Sequence, residues 1–302
     1  MSAVADDPFL SFIIPVHDEE ENVAPLHAEL TSAAAAVGRP YEILFVNDGS
    51  RDATLAHLKA LRRTDDRLRI VDLAGNFGEA GALSAGFAHA QGEVVVTLDG
   101  DGQNDPSDVT RLLAMLGDGV DVVSGRRRER REAFWTRVLP SRIANWLIVR
   151  VTGVPVYDCG CGLKAYRREI VVGAQIPRGM NRFLPAILGV DPERVTEVWV
   201  NDRSRQNGSS HYGLTRTFAV LRDLPVLPHL RGASRAAARA KVAIALAGAA
   251  VLADWLFGRT IAVAVVAATI VASVIASSAI AYNLRRVARA RASGVFRVRE
   301  VM

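Results

Sequence analysis

The stretch Val94-Val95-Val96-Thr97-Leu98-Asp99-Gly100-Asp101-Gly102-Gln103-Asn104-Asp105-Pro106 constrains the chain most. Apolar and β-branched residues run straight into carboxylates and amides. Such a run reads as a buried parallel strand. The polar cluster then lies just past the strand's carboxyl end, where open α/β sheets bind ligands. Asp99 and Asp101 are two apart, with Gln103 two further on. Hard divalent cations take oxygen ligands from carboxylates, amides and a ligand's own phosphates. Gly100 and Gly102 allow a tight turn and close approach of a ligand. On spacing alone two readings stand. One is a metal-ligating motif; the other is a polar βα turn in which Asp105 or Ser107 caps the next helix.

The surrounding chain repeats this plan. Phe9 to Val16 is strand-like and stops at His17-Asp18-Glu19-Glu20-Glu21-Asn22. A helix over about 22–37 ends at Gly38-Arg39-Pro40. Tyr41 to Val46 is a second strand, followed by Asn47-Asp48-Gly49-Ser50 and a helix over about 52–63. Leu68 to Leu73 is a third strand, followed by Asn76-Phe77-Gly78 and a small-residue helix over about 79–90. After the opening stretch come a helix from Pro106 to Leu116 and a strand from Val120 to Ser124. This alternation predicts an α/β fold, mainly parallel, with helices on both faces. Three strand ends carry acids: Asp18-Glu19, Asp48-Gly49 and Asp99 to Asp105. On one edge of a parallel sheet they would line one pocket.

Charge is unevenly placed. From Arg231 onward there are 11 Lys/Arg against 2 acids, whereas residues 1–230 hold 26 against 30. The basic character therefore belongs to the tail, which argues against a nucleic-acid-binding domain and for a membrane-flanking segment. Val242 to Phe257 is almost wholly apolar, and Thr260 to Tyr282 is 23 residues without a charge. They predict a membrane hairpin, two helices over about 242–257 and 260–282. Arg231, Arg235, Arg239 and Lys241 precede it, and Arg285, Arg286, Arg289 and Arg291 follow it. The positive-inside rule then puts both termini and residues 1–213 on the cytoplasmic face of the membrane, with 214–240 lying along it. Cys159 and Cys161 are too close in sequence for an ordinary disulfide and read as small residues in a reduced compartment. Met1 to Asp7 has neither a basic start nor an apolar core, so no signal peptide is expected.

The run Ser124 to Glu132 is strongly charged and on its own reads as a solvated loop. It leads into Phe134 to Val149, where aromatic, aliphatic and Arg residues alternate at helical spacing. That pattern suits an interfacial helix over about 134–150, apolar groups entering the acyl boundary and Arg meeting phosphate; a plain core helix is the alternative.

Together, Ile13 to Asn22, Val46 to Asp52, Asn76-Phe77-Gly78 and Leu98 to Pro106 resemble the family 2 glycosyltransferases, most nearly the polyprenyl-phosphate branch that includes dolichyl-phosphate mannose synthase. The resemblance spans about residues 9–213. It implies a GT-A nucleotide-sugar-binding fold and an inverting mechanism. It also implies that Pro15, His17, Glu19, Asp48 and Asp99 lie on the donor, with Asp101 and Gln103, and Asp99 beside them, on a divalent Mg²⁺ or Mn²⁺. Arg126, Arg137 and Ser141 map onto the family's grip on the acceptor phosphate. Asp158, in Val156 to Arg167, maps onto the acid beside the attacking acceptor. Arg205 and Ser210 map onto a loop that closes over the donor diphosphate. The sequence departs from the family at His17 and Asp18, where an aromatic and Asn are frequent, and at His211, where Lys is usual.

The reaction so implied is sugar transfer from a UDP- or GDP-sugar to a polyprenyl phosphate in the membrane, by a homo-oligomer such as a tetramer. Asp101 and Asp158 are its catalytic candidates. A processive polysaccharide synthase and a non-catalytic nucleotide-sugar-binding scaffold are the alternatives. The former carries a Gln/Arg-x-x-Arg-Trp signature not found here.

Overall fold

The computed structural model describes residues 8–128, 139–203 and 294–302, with six helical residues between 278 and 288. One eight-stranded sheet organises them. Its strands are β1 (Leu10–Val16), β2 (Tyr41–Asn47), β3 (Leu68–Leu73), β4 (Val94–Thr97), β5 (Val122–Arg127), β6 (Lys164–Arg167), β7 (Val195–Val200) and β8 (Val298–Val301). The spatial order is β7-β5-β6-β4-β1-β2-β3-β8. β1 pairs parallel with β2 and β4, β2 with β3, and β5 with β7, while β6 and β8 run antiparallel to their neighbours.

The period-two alternation of the strands separates two cores. Phe12, Ile14, Ile43, Phe45, Val94 and Val96 face one side. There they meet α1 (Val23–Val37), α2 (Thr54–Arg62) and α4 (Val109–Met115) through Leu26, Leu30, Leu58, Val109 and Leu112. Ile13, Leu44, Val46, Val71 and Val95 face the other, against α3 (Gly78–His89) and Ile148 of α5 (Leu139–Thr152). Each fully buried side chain of this size is worth about 1.5–3 kcal/mol, so the two cores fix where the strand ends lie. α1 stops where the sequence predicts: Gly38 adopts φ 67° and its N–H returns to Ala34 O and Ala35 O.

Three parts of the chain depart from the sequence reading. β5 runs on to Arg127, so the charged run begins as strand rather than loop. Lys164 to Arg167, read only as part of a motif, forms β6 and inserts antiparallel between β4 and β5. The end of the basic tail, for which the sequence reading gave no strand, forms β8 on the outer edge of β3. Among the described residues no helix is long and apolar enough to cross a membrane. The expected spans 242–257 and 260–282, apart from Ser278, Ala281 and Tyr282, lie outside the described residues, as does 214–240.

Candidate functional site

The carboxyl ends of β1, β2 and β4 lie side by side, as the acidic turns predict. Pro15, one residue before the end of β1, sits opposite Val46 and contributes no ladder N–H in a central strand. The next residues are clasped to the turn after β2. Asp18 N–H donates to Ser50 Oγ at 3.1 Å, and Asp18 Oδ1 accepts Arg51 N–H at 2.7 Å. Asp18 takes φ 54°, a left-handed conformation that Asp tolerates better than most residues. His17 is not simply solvated: its Nδ1 donates to the carbonyl of Asp48 at 2.8 Å. Glu19 N–H donates to Thr54 Oγ1 at 2.8 Å, and its carboxylate accepts Asn22 Nδ2 at 2.5 Å.

Asp48 is buried. Its two oxygens accept Phe77 N–H at 2.6 Å and Gly78 N–H at 2.8 Å, so it caps the start of α3 from the end of β2. Burial pushes its carboxyl above the ordinary range, and those two amides offset part of the rise. Gly49 beside it has φ 68°, and a Cβ there would lie 2.6 Å from the Gly75 carbonyl carbon. The turns after β2 and β3 can approach this closely only with glycine at that position.

The β4 turn holds the proposed metal motif. Asp99 N–H donates to Asn104 Oδ1 at 3.0 Å, and Gln103 N–H donates to Asp101 Oδ1 at 3.1 Å. A Cβ on Gly162 would collide with the Asp99 carboxyl group. Desolvation, then the negative charges of Glu79 and Asp101, raise Asp99 to about 7 against the pull of Lys164 and Arg127. A desolvated carboxyl among like charges is the electrostatic condition that a cation relieves. Among the described residues no three His, Cys, Asp or Glu gather closely enough to hold a metal alone. Two carboxylates and an amide, completed by substrate phosphates, nevertheless fit the oxygen-rich shell of Mg²⁺ or Mn²⁺. Asp105 also caps a short 3₁₀ turn at Pro106–Asp108, accepting Ser107 N–H at 3.0 Å, so the capping reading holds beside the metal reading.

The segment after β7 crosses this motif. Arg203 N–H donates to Gln103 O at 3.0 Å, while its guanidinium pairs with Asp105 at 2.9 Å and Glu29 at 2.7 Å. Arg203 therefore pins the end of the segment after β7 against the acidic turn. Arg205, Ser210 and His211 themselves lie outside the described residues.

On the other side stands a buried ion pair. Asp158 Oδ2 accepts Arg127 Nε at 2.9 Å and Arg127 N–H at 3.2 Å, and Oδ1 accepts Nη2 at 3.0 Å. This bidentate fork holds the guanidinium firmly charged. Sequence reasoning chose Arg126 and passed over Arg127. Period-two alternation separates them. Arg126 instead lies over Trp199 (4.3 Å to the ring centroid) and Tyr157 (5.3 Å), with Nη1 3.9 Å from Glu197 Oε2. Tyr157, Trp199 and, on α5, Trp146 are all exposed. Glu197 was also missed. Its Oε1 accepts Tyr157 N–H at 2.8 Å and Asp158 N–H at 2.9 Å, fixing the turn that carries Asp158. Burial raises its carboxyl as well. Ser141 falls in the first turn of α5, and its side chain and all of Arg137 lie outside the described residues. Cys159 and Cys161 are free and buried, with burial pushing both thiols up to about 12.

Comparison with known proteins places this geometry. Residues 11–172 match the model of glycosyl transferase family 2. The chain is 40% identical over 219 residues to a dodecaprenyl-phosphate galacturonate synthase of Rhizobium johnstonii, covering 71% of this chain and 65% of that protein. It is 36% identical over 217 residues to an undecaprenyl-phosphate 4-deoxy-4-formamido-L-arabinose transferase of Edwardsiella ictaluri, covering 72% and 66%. The match thus spans just under two thirds of the length of these relatives. Among solved structures, glucosyl-3-phosphoglycerate synthase of Mycobacterium tuberculosis, in complex with Mn²⁺, UDP-glucose and phosphoglyceric acid, shares the fold. Its TM-score is 0.56 at 19% identity, over 76% of this chain and 81% of that one. With the family model covering more than half of its residues, the chain belongs to glycosyl transferase family 2.

Proposed function

We propose that the protein transfers a sugar from a nucleoside-diphosphate sugar to a membrane polyprenyl phosphate, with inversion at the anomeric carbon. One observation carries the reading: the acidic turns of β1, β2 and β4 lie side by side at one edge of the sheet, and the Arg127–Asp158 pair stands across β4 from the β1 and β2 turns. The named activities of the relatives at 40% and 36% identity supply the acceptor class. The nucleotide sits on the β1 and β2 turns and the diphosphate at the β4 turn. A divalent cation held by Asp99, Asp101 and Gln103 would supply charge neutralisation on the leaving diphosphate. The same-fold enzyme with bound Mn²⁺ and UDP-glucose lends that chemistry support.

A phosphate monoester, with a second pKa near 6, is already largely dianionic at neutral pH. It needs placing and desolvating more than it needs a strong base. Arg127, already charged and braced by Asp158, would meet it from one face of β5 at the strand's end, and Arg126, between two exposed aromatic rings, from the other. Asp158 orients Arg127, and Glu197 orients Asp158. A single displacement by the phosphate oxygen breaks the anomeric C–O bond and releases the nucleoside diphosphate.

Membrane placement is part of the proposal. The segment 204–293 leaves from the end of β7 and returns to β8 of the same sheet. It therefore crosses a membrane an even number of times or not at all. Two spans flanked by arginines meet that condition with the catalytic domain on the cytoplasmic face. The test compares acceptors. Undecaprenyl phosphate should receive sugar and undecaprenol should not, and NMR of the product should report the inverted anomer. Transfer to undecaprenol, or retention of configuration, would contradict the reading.

A further inference from the structure

β8 does more than close the sheet edge. Val71 pairs with Val301 and Asp72 with Glu300, and Ile70 exchanges backbone hydrogen bonds with Met302 in both directions at 2.9 Å. Arg299, on this strand, donates to Asp72 Oδ2 at 2.9 Å. Asp72 is 2% exposed, so its charge has no recourse to water. Its other oxygen accepts Asn47 Nδ2 at 2.7 Å. That bond fixes the orientation of the Asn47 amide, whose Oδ1 then accepts Ser50 Oγ at 2.5 Å. Ser50 Oγ in turn accepts the N–H of Asp18 at 3.1 Å, in the left-handed conformation noted above. The relay runs unbroken from the last strand to the turns after β2 and β1.

The tail also braces these turns from the α3 side. A Cβ on Gly81, in the first turns of α3, would lie 2.9 Å from Val295 O and 2.6 Å from Phe77 Cβ. Phe296 and Val298 pack on the core cluster that includes α3. The amides capped by Asp48 therefore sit on a helix start that the tail covers.

We propose that Arg299 is a positioning residue of the donor site, acting through Asp72, Asn47 and Ser50 on the paired turns that receive the nucleotide. This rests on the donor placement given under Proposed function. The strand reached only after the apolar segment thereby becomes part of the nucleotide site. A protein whose tail has not returned to β3 would hold donor poorly.

The test uses the full-length protein in detergent, with UDP and GDP as probes in the presence of Mn²⁺ and binding read by calorimetry. Arg299→Gln should weaken binding of the cognate nucleotide about fivefold (about 1 kcal/mol), a modest change because Arg299 is itself largely exposed. Donor KM should rise in parallel, with the KM for lipid phosphate unchanged. Arg299→Lys should recover most of the loss. Glu300→Gln, opposite Asp72 on the same strand but exposed and directed at Lys59 of α2, should bind as the parent does. Ser50→Ala should weaken binding alone, yet add little on the Arg299→Gln background, as members of one relay do. A lower melting temperature for Arg299→Gln with unchanged nucleotide affinity would overturn the proposal, as would equal losses in Arg299→Gln and Glu300→Gln. Nucleotide binding without sugar transfer to lipid phosphate would instead refute the acceptor reading, and the binding series would still decide the role of Arg299.

Discussion

Asp158→Asn separates a structural from a purely chemical role for the acid on the acceptor side. The wild-type carboxylate accepts two guanidinium N–H bonds and the Arg127 main-chain N–H. The side chains are 5% and 18% exposed. Asparagine keeps one acceptor oxygen and turns an NH₂ toward the guanidinium, so one arm of the fork is lost and a nearly buried charge is left uncompensated. Breaking a buried pair from one side costs about 3–5 kcal/mol; because the Arg127 edge reaches some water, the lower end, about 3 kcal/mol, applies. In a domain of this size that is a fall in Tm of about 6–12 °C. Thermal unfolding of the detergent-solubilised protein measures it. Arg127→Gln and the double variant complete a cycle, and the double variant should lose clearly less than the sum of the singles. Additive losses, or a Tm within about 2 °C of wild type, would refute the bracing role and leave Asp158 as an acid whose loss affects turnover alone.

The remaining predictions concern the β4 turn. The Asp99 carboxyl is raised to about 7 from an ordinary 3.8, so in the metal-free protein it is protonated in the folded state where the unfolded chain has already released its proton. Its contribution therefore lowers stability as pH rises from about 4 to 7, and divalent cation should restore the loss, more at pH 8 than at pH 6; melting temperatures with and without Mn²⁺ check the sign. Mn²⁺ affinity itself should fall as pH drops below about 7, because cation and proton compete for one carboxyl. Gly162→Ala places a methyl group on the Asp99 carboxyl. Overpacking of that kind costs about 1–3 kcal/mol, and transfer should fall further than this stability loss explains, as activity per folded molecule will report.

Much of this arrangement was legible in the sequence because strand and helix periodicities were strong. β1 to β4 fall almost where their apolar runs predict, and Gly38 ends α1 as its position implies. What escaped was set by tertiary context. Lys164-Ala-Tyr-Arg167 carries charge at both ends, and its burial comes from pairing on both sides by β4 and β5. In a run of arginines, which one faces inward depends on strand parity. Reading the run as a loop hid Arg127, and β5 reaching that residue reveals it. Asp48 was expected to meet the donor. The structure engages its oxygens on α3 amides, a cap made across the fold rather than within a contiguous capping motif. Glu197 gave no local signal, since its partners are backbone amides far along the chain. β8 was masked by its basic surroundings: Val298-Arg-Glu-Val301 is short, and only the unpaired edge of β3 gives it a place.

The most direct test of the central claim offers the purified full-length protein undecaprenyl phosphate, Mg²⁺ or Mn²⁺ and a panel of UDP- and GDP-sugars, beside Asp101→Asn. The account predicts one lipid-linked sugar from one donor, lost by about a hundredfold or more in the variant while the fold melts as wild type. Donor binding without transfer to any lipid phosphate, or full transfer by Asp101→Asn, would contradict it.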